Sequence, residues 1–202
     1  MKLRIEHESA IRFCFKDDCE TLVRPSGETV LKLDIQPQAF ENWCWAAISA
    51  DIGRYFNTGN WDQERVAKEI LDLNGLESDD AGRILDREAN LDKGLALVGC
   101  YSHWSPGRPS FDRISYEINM LRPVCVRIEW FHGGAHYIVI KGVTPETKTL
   151  HISDPKYGAA VMMYSAFPGR YQAFGGVWTE TFWTKPPDTG VNPNYSKKEK
   201  NE

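Results

Sequence analysis

The spacing of apolar and polar positions changes twice along this chain. Residues 1–35 alternate: Leu3, Ile5, Ile11, Phe13 and Phe15, then Val30, Leu31, Leu33 and Ile35, with turn chemistry at Pro25-Ser26-Gly27 between two runs. Such alternation predicts short strands or a hairpin. Over residues 44–56 the spacing becomes three and four. Trp45, Ile48, Ile52, Tyr55 and Phe56 predict a helix with a buried stripe. Gly59-Asn60 closes it, and Asn60 with Gln63 predicts a capping box ahead of Val66, Ile70 and Leu73. Ser78 predicts the start of a weaker segment through Ala81, Ile84 and Leu85. Ser110 predicts a further helix through Phe111, Ile114, Ile118 and Leu121, stopped by Pro123. After Pro123 the period drops to two. Residues 124–131, 137–143 and 149–152 predict strands, with Pro145-Glu146-Thr147-Lys148 as a hairpin turn, and residues 161–167 and 177–183 predict two more. Residues 186–202, rich in Pro, Asn, Lys and Glu, predict a disordered tail.

This order of elements predicts one α+β domain over residues 1–185. It comprises a β-rich segment (1–35), a helical half (36–122) and an antiparallel sheet half (123–185), with a binding cleft between the halves. A chain of 202 residues can bury roughly 70% of its unfolded surface, so neither disulfide nor metal is needed for folding. The formal net charge of −4 argues against a nucleic-acid partner. The absence of a run of ~18 apolar residues argues against a membrane span. The opening MKLRIEHESAIRF has no apolar signal core, which predicts a cytoplasmic protein as synthesised and leaves delivery by a specialised secretion system open. The cysteines, Cys14, Cys19, Cys44, Cys100 and Cys125, are odd in number and scattered, as expected for free thiols in a reducing compartment. Cys14 and Cys19 could form half a zinc site, but no second Cys/His pair at ligand spacing accompanies them; no metal and no cofactor are expected. Cys125, inside Val124-Cys125-Val126, and Cys100, after Ala96-Leu97-Val98-Gly99, read as packing residues.

The stretch from Gln38 to Trp45, Q-A-F-E-N-W-C-W, carries the candidate chemistry. It places Cys44 at the first turn of the predicted helix. A thiol with an ordinary pKa near ~8.5 is a poor nucleophile, and lowering that value by four units takes about 5.4 kcal/mol. A helix N-terminus supplies roughly 0.3–1 kcal/mol at an exposed position, so a histidinium is needed as well. The candidates are His7, His103, His132, His136 and His151. His136 is favoured because it opens the strand Tyr137-Ile138-Val139-Ile140, a rigid support, behind small residues Gly133-Gly134-Ala135 that leave room for a substrate backbone. Asp154 ends the strand joined by the hairpin to the His136 strand and suits the role of fixing the imidazole tautomer. The alternative for Asp154-Pro155 is a simple turn. Gln38 suits an amide donor to an oxyanion, with the Cys44 main-chain N–H as second donor and Gln36 as the other candidate. Asn42 is expected to cap the helix. Trp43 and Trp45 could contact substrate, but such residues are more often packing.

Taken in order, Gln38, Cys44 with Trp45 beside it, His136 opening a strand, and Asp154 before Pro155 resemble the papain-like cysteine proteases. The chain is most similar to their compact bacterial branch, which includes effector proteases of plant pathogens and to which the double-glycine peptidases of bacteriocin exporters are related. The resemblance frames residues 36–158, and residues 1–35 match nothing in it. It implies a papain-like fold, a Cys44-His136-Asp154 triad with Gln38 at the oxyanion hole, and hydrolysis of peptide bonds in a protein or peptide substrate. More distantly it implies a bacterial effector or toxin, for which a cognate inhibitor or immunity protein would be a partner. A deamidase or transglutaminase acting on glutamine side chains would use the same thioester. A non-catalytic binding module on the same fold is a third reading.

Overall fold

The computed structural model describes residues 11–15, 18–22, 27–72 and 86–187. Strands β1 (Ile11–Phe15) and β2 (Asp18–Leu22) form an antiparallel hairpin, as the early alternation predicts. A short strand β3 (Thr29–Val30) follows, then helices α1 (Cys44–Tyr55), α2 (Gln63–Asp72) and α3 (Leu91–Leu97). Strand β4 (Tyr101–Pro106) precedes helix α4 (Phe111–Asn119). The remaining strands are β5 (Val124–Trp130), β6 (Ala135–Thr144), β7 (Thr149–Asp154), β8 (Gly158–Met163) and β9 (Gly176–Thr184). They build a seven-stranded antiparallel sheet in the order β4-β9-β5-β6-β7-β8, with β3 against β6. The fold is α+β.

The five strands expected after Pro123 are all present, within a few residues of their predicted bounds, and residues 145–148 form the turn. The division into a helical and a sheet half is less clean than expected. Both β3 and β4 come from the N-terminal part of the chain and complete the sheet. β3 continues the edge of β6 beyond β5: Val124 of β5 pairs with Ile140, and Val30 with Gly142. Gly142 is required there, because a Cβ would stand 2.7 Å from the Thr29 carbonyl oxygen. Past Val30 the alternation survives without a ladder, for Leu31, Leu33 and Ile35 are buried while their neighbours are exposed. The capping expectation at Asn60 is corrected: Asp62 Oδ1 accepts from Arg65 N at 2.7 Å, and the Gln63 side chain bonds elsewhere. Ser110 caps α4 as expected, accepting from Arg113 N. The segment opening at Ser78 and residues from 188 onward in the expected tail lie outside the described residues.

α1 is the centre of the core. Every residue from Cys44 to Gly53 is buried, a ring of burial wider than the stripe its large residues predict. The small residues Ala46, Ala47, Ala50 and Gly53 allow this, since they let α2, α3 and β6 close in from several sides. α1 and α4 both pack against β6, so the helix that begins at Cys44 is held on the strand that begins beside His136.

Candidate active site

Strand register brings His136 and Asp154 together. Val139 of β6 pairs with Ser153 of β7; continuing that register sets Asp154 opposite Ile138, on the diagonal from His136. Side chains two apart on a strand share a face, so such diagonal neighbours can touch. His136 Nε2 lies 2.8 Å from Asp154 Oδ1, with both side chains almost wholly buried. Cys44, the first residue of α1, lies close enough to the same ring to act on its protonation, and both line one cleft. No side chain caps that helix end, and no acidic residue stands in its first turn. Its unpaired N–H groups therefore face the sulfur's surroundings uncompensated.

The electrostatics follow from this packing. Burial opposes the charged form of His136, but hydrogen bonds and charges from Asp154 and Cys44 outweigh it and raise the imidazole to about 9. Burial likewise disfavours ionised Asp154, yet His136 and the main-chain N–H groups of Lys156 and Tyr157 hold it below the ordinary carboxylate range. Oδ1 accepts from those two groups at 2.7 and 3.0 Å, and Oδ2 accepts from the Tyr171 hydroxyl at 2.8 Å. Trp130 stacks on His136 and on Tyr171, with centroids 5.9 and 6.1 Å away. Tyr157 meets the imidazole edge-on. The Trp130, Tyr157 and Tyr171 contacts have no signal in the spacing of the sequence.

The Gln38 loop is tied to both sides of the site. Ile35 N donates to Ser153 Oγ, Gln36 N to Asp51 Oδ2, and Gln38 N to the Pro155 carbonyl. Gln63 clamps the loop with both ends of its amide, accepting from Ala39 N and donating to the Pro37 carbonyl. Gln38 Nε2 donates to the carbonyls of Phe40 (2.9 Å) and Glu41 (2.6 Å), so in this structure its amide braces the turn into α1. Its Oε1 is buried and unbonded, and rotating the amide would set that oxygen against two carbonyls. Asn42 does not cap α1. Its main-chain N–H and its amide both point to Asp86, and Trp43 occupies the cap position. Trp43 and Trp45 are buried, Trp45 donating to the Arg87 carbonyl and also bordering the cleft.

Cys44 and His136 open onto a cleft of about 500 Å³. An ion pair between Lys156 and Glu41 joins the loop before α1 to the turn after β7 at its edge. Gly133 (φ +98°) and Gly134 (φ +81°) line it. A Cβ at either would meet nothing within 4 Å, so glycine is required by backbone conformation rather than by a shortage of space.

The other described histidines have separate partners. His103 lies in β4, 3.0 Å from Ser102 Oγ and stacked on Trp183. His132 packs on Phe174, and His151 pairs with Glu28. His7 lies outside the described residues. Cys100 and Cys125 are fully buried; burial pushes the Cys100 thiol up to about 12 and the Cys125 thiol higher still, as suits packing residues. Cys14 and Cys19 stand opposite each other in the β1–β2 register. Among the described residues no group of three or more His, Cys, Asp and Glu is placed to hold a metal, and no helix is long and apolar enough to cross a membrane.

Residues 25–168 match the family described as papain-like cysteine protease AvrRpt2. No curated protein matches the chain. A double-glycine-motif protease from an AMS/PCAT transporter, crystallised with the leader peptide, is 17% identical with a TM-score of 0.45, covering 78% of this chain and 97% of that one. The Pseudomonas avirulence protein AvrPphB is 11% identical with a TM-score of 0.32, covering 60% of this chain and 69% of that one.

Proposed function

Because the chain belongs to the papain-like cysteine protease family of AvrRpt2 and is therefore a cysteine peptidase, we propose that Cys44, His136 and Asp154 are its catalytic triad and that it cleaves internal peptide bonds of a protein substrate. The observation that carries this reading is the 2.8 Å contact between Asp154 and His136, with His136 and Cys44 lining one cleft. Asp154 fixes Nε2 of the imidazole, leaving Nδ1 for the sulfur. The Cys44 thiolate attacks the scissile carbonyl carbon, and the carbonyl electrons move onto oxygen. Collapse of this intermediate breaks the C–N bond as His136 gives its proton to the leaving amine, leaving a thioester. Water, deprotonated by His136, then attacks the thioester, releasing the acid and restoring the thiolate.

The oxyanion falls to the Cys44 main-chain N–H and the Gln38 amide. Gln38 would exchange one of its two carbonyl partners for the developing charge. A charge-assisted bond is roughly twice as strong as a neutral one, so the exchange favours the transition state. The role as a bacterial effector or toxin rests on family resemblance alone. The test compares new N-termini in a cell lysate treated with wild type or with Cys44→Ala. We expect new termini with wild type only. Identical termini in both samples overturn the assignment, and a mass gain at glutamine without new termini points to deamidation instead.

A further inference from the structure

The inference concerns the second oxygen of Asp154 and rests on the triad reading above. Oδ1 is crowded, accepting from His136 Nε2 and from the main-chain N–H groups of Lys156 and Tyr157. A turn about the Cβ–Cγ bond, a soft and nearly two-fold torsion, would swing both oxygens and pull Oδ1 off those donors. A turn would carry the charge out of the imidazole plane. From the other oxygen the Tyr171 hydroxyl opposes the same turn, donating to Oδ2 at 2.8 Å.

Tyr171 is itself firmly held. It is 2% exposed. Its ring meets Phe167 edge-on at 5.3 Å and stacks on Trp130. Its main chain donates to the Pro168 carbonyl and accepts from Gly175 N. Trp130 stacks in turn on His136, so one indole touches both the base and the residue that braces the acid. The brace is also chemically apt. A neutral hydroxyl satisfies Oδ2 without cancelling the negative charge, whereas a lysine or arginine there would compete with His136 for it.

We propose that Tyr171 is a positioning residue for the triad, acting on Cys44 through Asp154 and His136 by fixing the carboxylate plane. The test needs no knowledge of the substrate. The probe is iodoacetamide at about pH 6, where an ordinary thiol is almost wholly protonated, and the readout is alkylation of Cys44 followed by peptide mass spectrometry. Tyr171→Phe removes one oxygen and no ring contact. It should slow alkylation roughly three- to ten-fold, the net worth of one hydrogen bond. In an Asp154→Ala background the same change should cost nothing further, because the hydroxyl has lost its target. Should that variant fold poorly in a thermal melt, His136→Ala provides the equivalent background.

An effect of Tyr171→Phe that is the same size in all backgrounds would make the residue merely structural and overturn the inference. So would wild-type reactivity in Tyr171→Phe. If instead wild-type Cys44 reacts at about pH 6 no faster than an ordinary thiol, the triad reading itself fails, and the two failures are told apart.

Discussion

At the level of single side chains, burial and partnership pull His136 in opposite directions. Burial is the largest influence on its imidazole and favours the neutral form; Asp154 and Cys44 together reverse the outcome and raise it to about 9. Asp154→Ala should therefore lower the His136 pKa from about 9, because burial would then act with only Cys44 against it. Histidine NMR titration measures this directly, and a His136 still titrating near 9 without Asp154 would show that the carboxylate does not govern the imidazole. The sequence makes the Cys44–His136–Asp154 juxtaposition readable because each residue begins or ends a regular element, and periodicity locates such ends. It cannot reveal Tyr171, which lies in an irregular stretch between β8 and β9 where no period constrains a side chain's direction. The same blindness applies to Gln38 and Asn42. Their placement before a helix was legible, but the partners their amides choose, Phe40 and Glu41 in one case and Asp86 in the other, depend on how loops fold back.

At the level of elements, strands with a buried face were readable because alternation survives wherever one side of a sheet is packed. β4 was not, since most of its residues are exposed and its pattern carries no apolar alternation. α3 was missed for a different reason: it has seven residues and a glycine at its centre. That glycine is where α3 meets α1. A Cβ on Gly94 would stand 2.2 Å from Ser49 Oγ and 3.0 Å from Ser49 Cβ. The hydroxyl has little freedom to retreat, because it donates to the Trp45 carbonyl at 2.7 Å. In an exposed helix, replacing glycine with alanine gains about 1 kcal/mol. Here overpacking, about 1–3 kcal/mol, should win, with a net cost of about 1–2 kcal/mol in Gly94→Ala. For a chain of this size that lowers Tm by roughly 2–8 °C in calorimetry. Adding Ser49→Ala should recover part of the loss, whereas a Gly94→Ala protein as stable as wild type would mean that the two helices can separate at no cost.

Across the whole molecule, the same buried pair that serves the site should shape stability against pH. The sheet and α1 close over His136 and Asp154 only in the folded state, so both titrate normally once the chain unfolds. For His136 the folded value, about 9, lies above the unfolded one near 6.5. The folded state thus binds its proton more tightly, and this contribution is complete below pH 6.5 and lost as pH rises through 9. For Asp154 the folded value lies below the ordinary 3.8, so its contribution is complete above that value and lost as pH falls further. The two overlap fully between the unfolded values, 3.8 and 6.5, which is where the pair stabilises the fold most. Rising to about pH 9 should remove on the order of 3 kcal/mol, since each unit of pKa separation is worth about 1.4 kcal/mol. Other groups titrate over the same interval, so the informative quantity is the difference between wild type and His136→Ala in urea unfolding near pH 6 and again near pH 9. Wild type should lose stability between the two conditions and the variant should lose less. Equal losses in both proteins would mean that His136 carries no extra proton in the folded state. The raised imidazole would then have no thermodynamic footing.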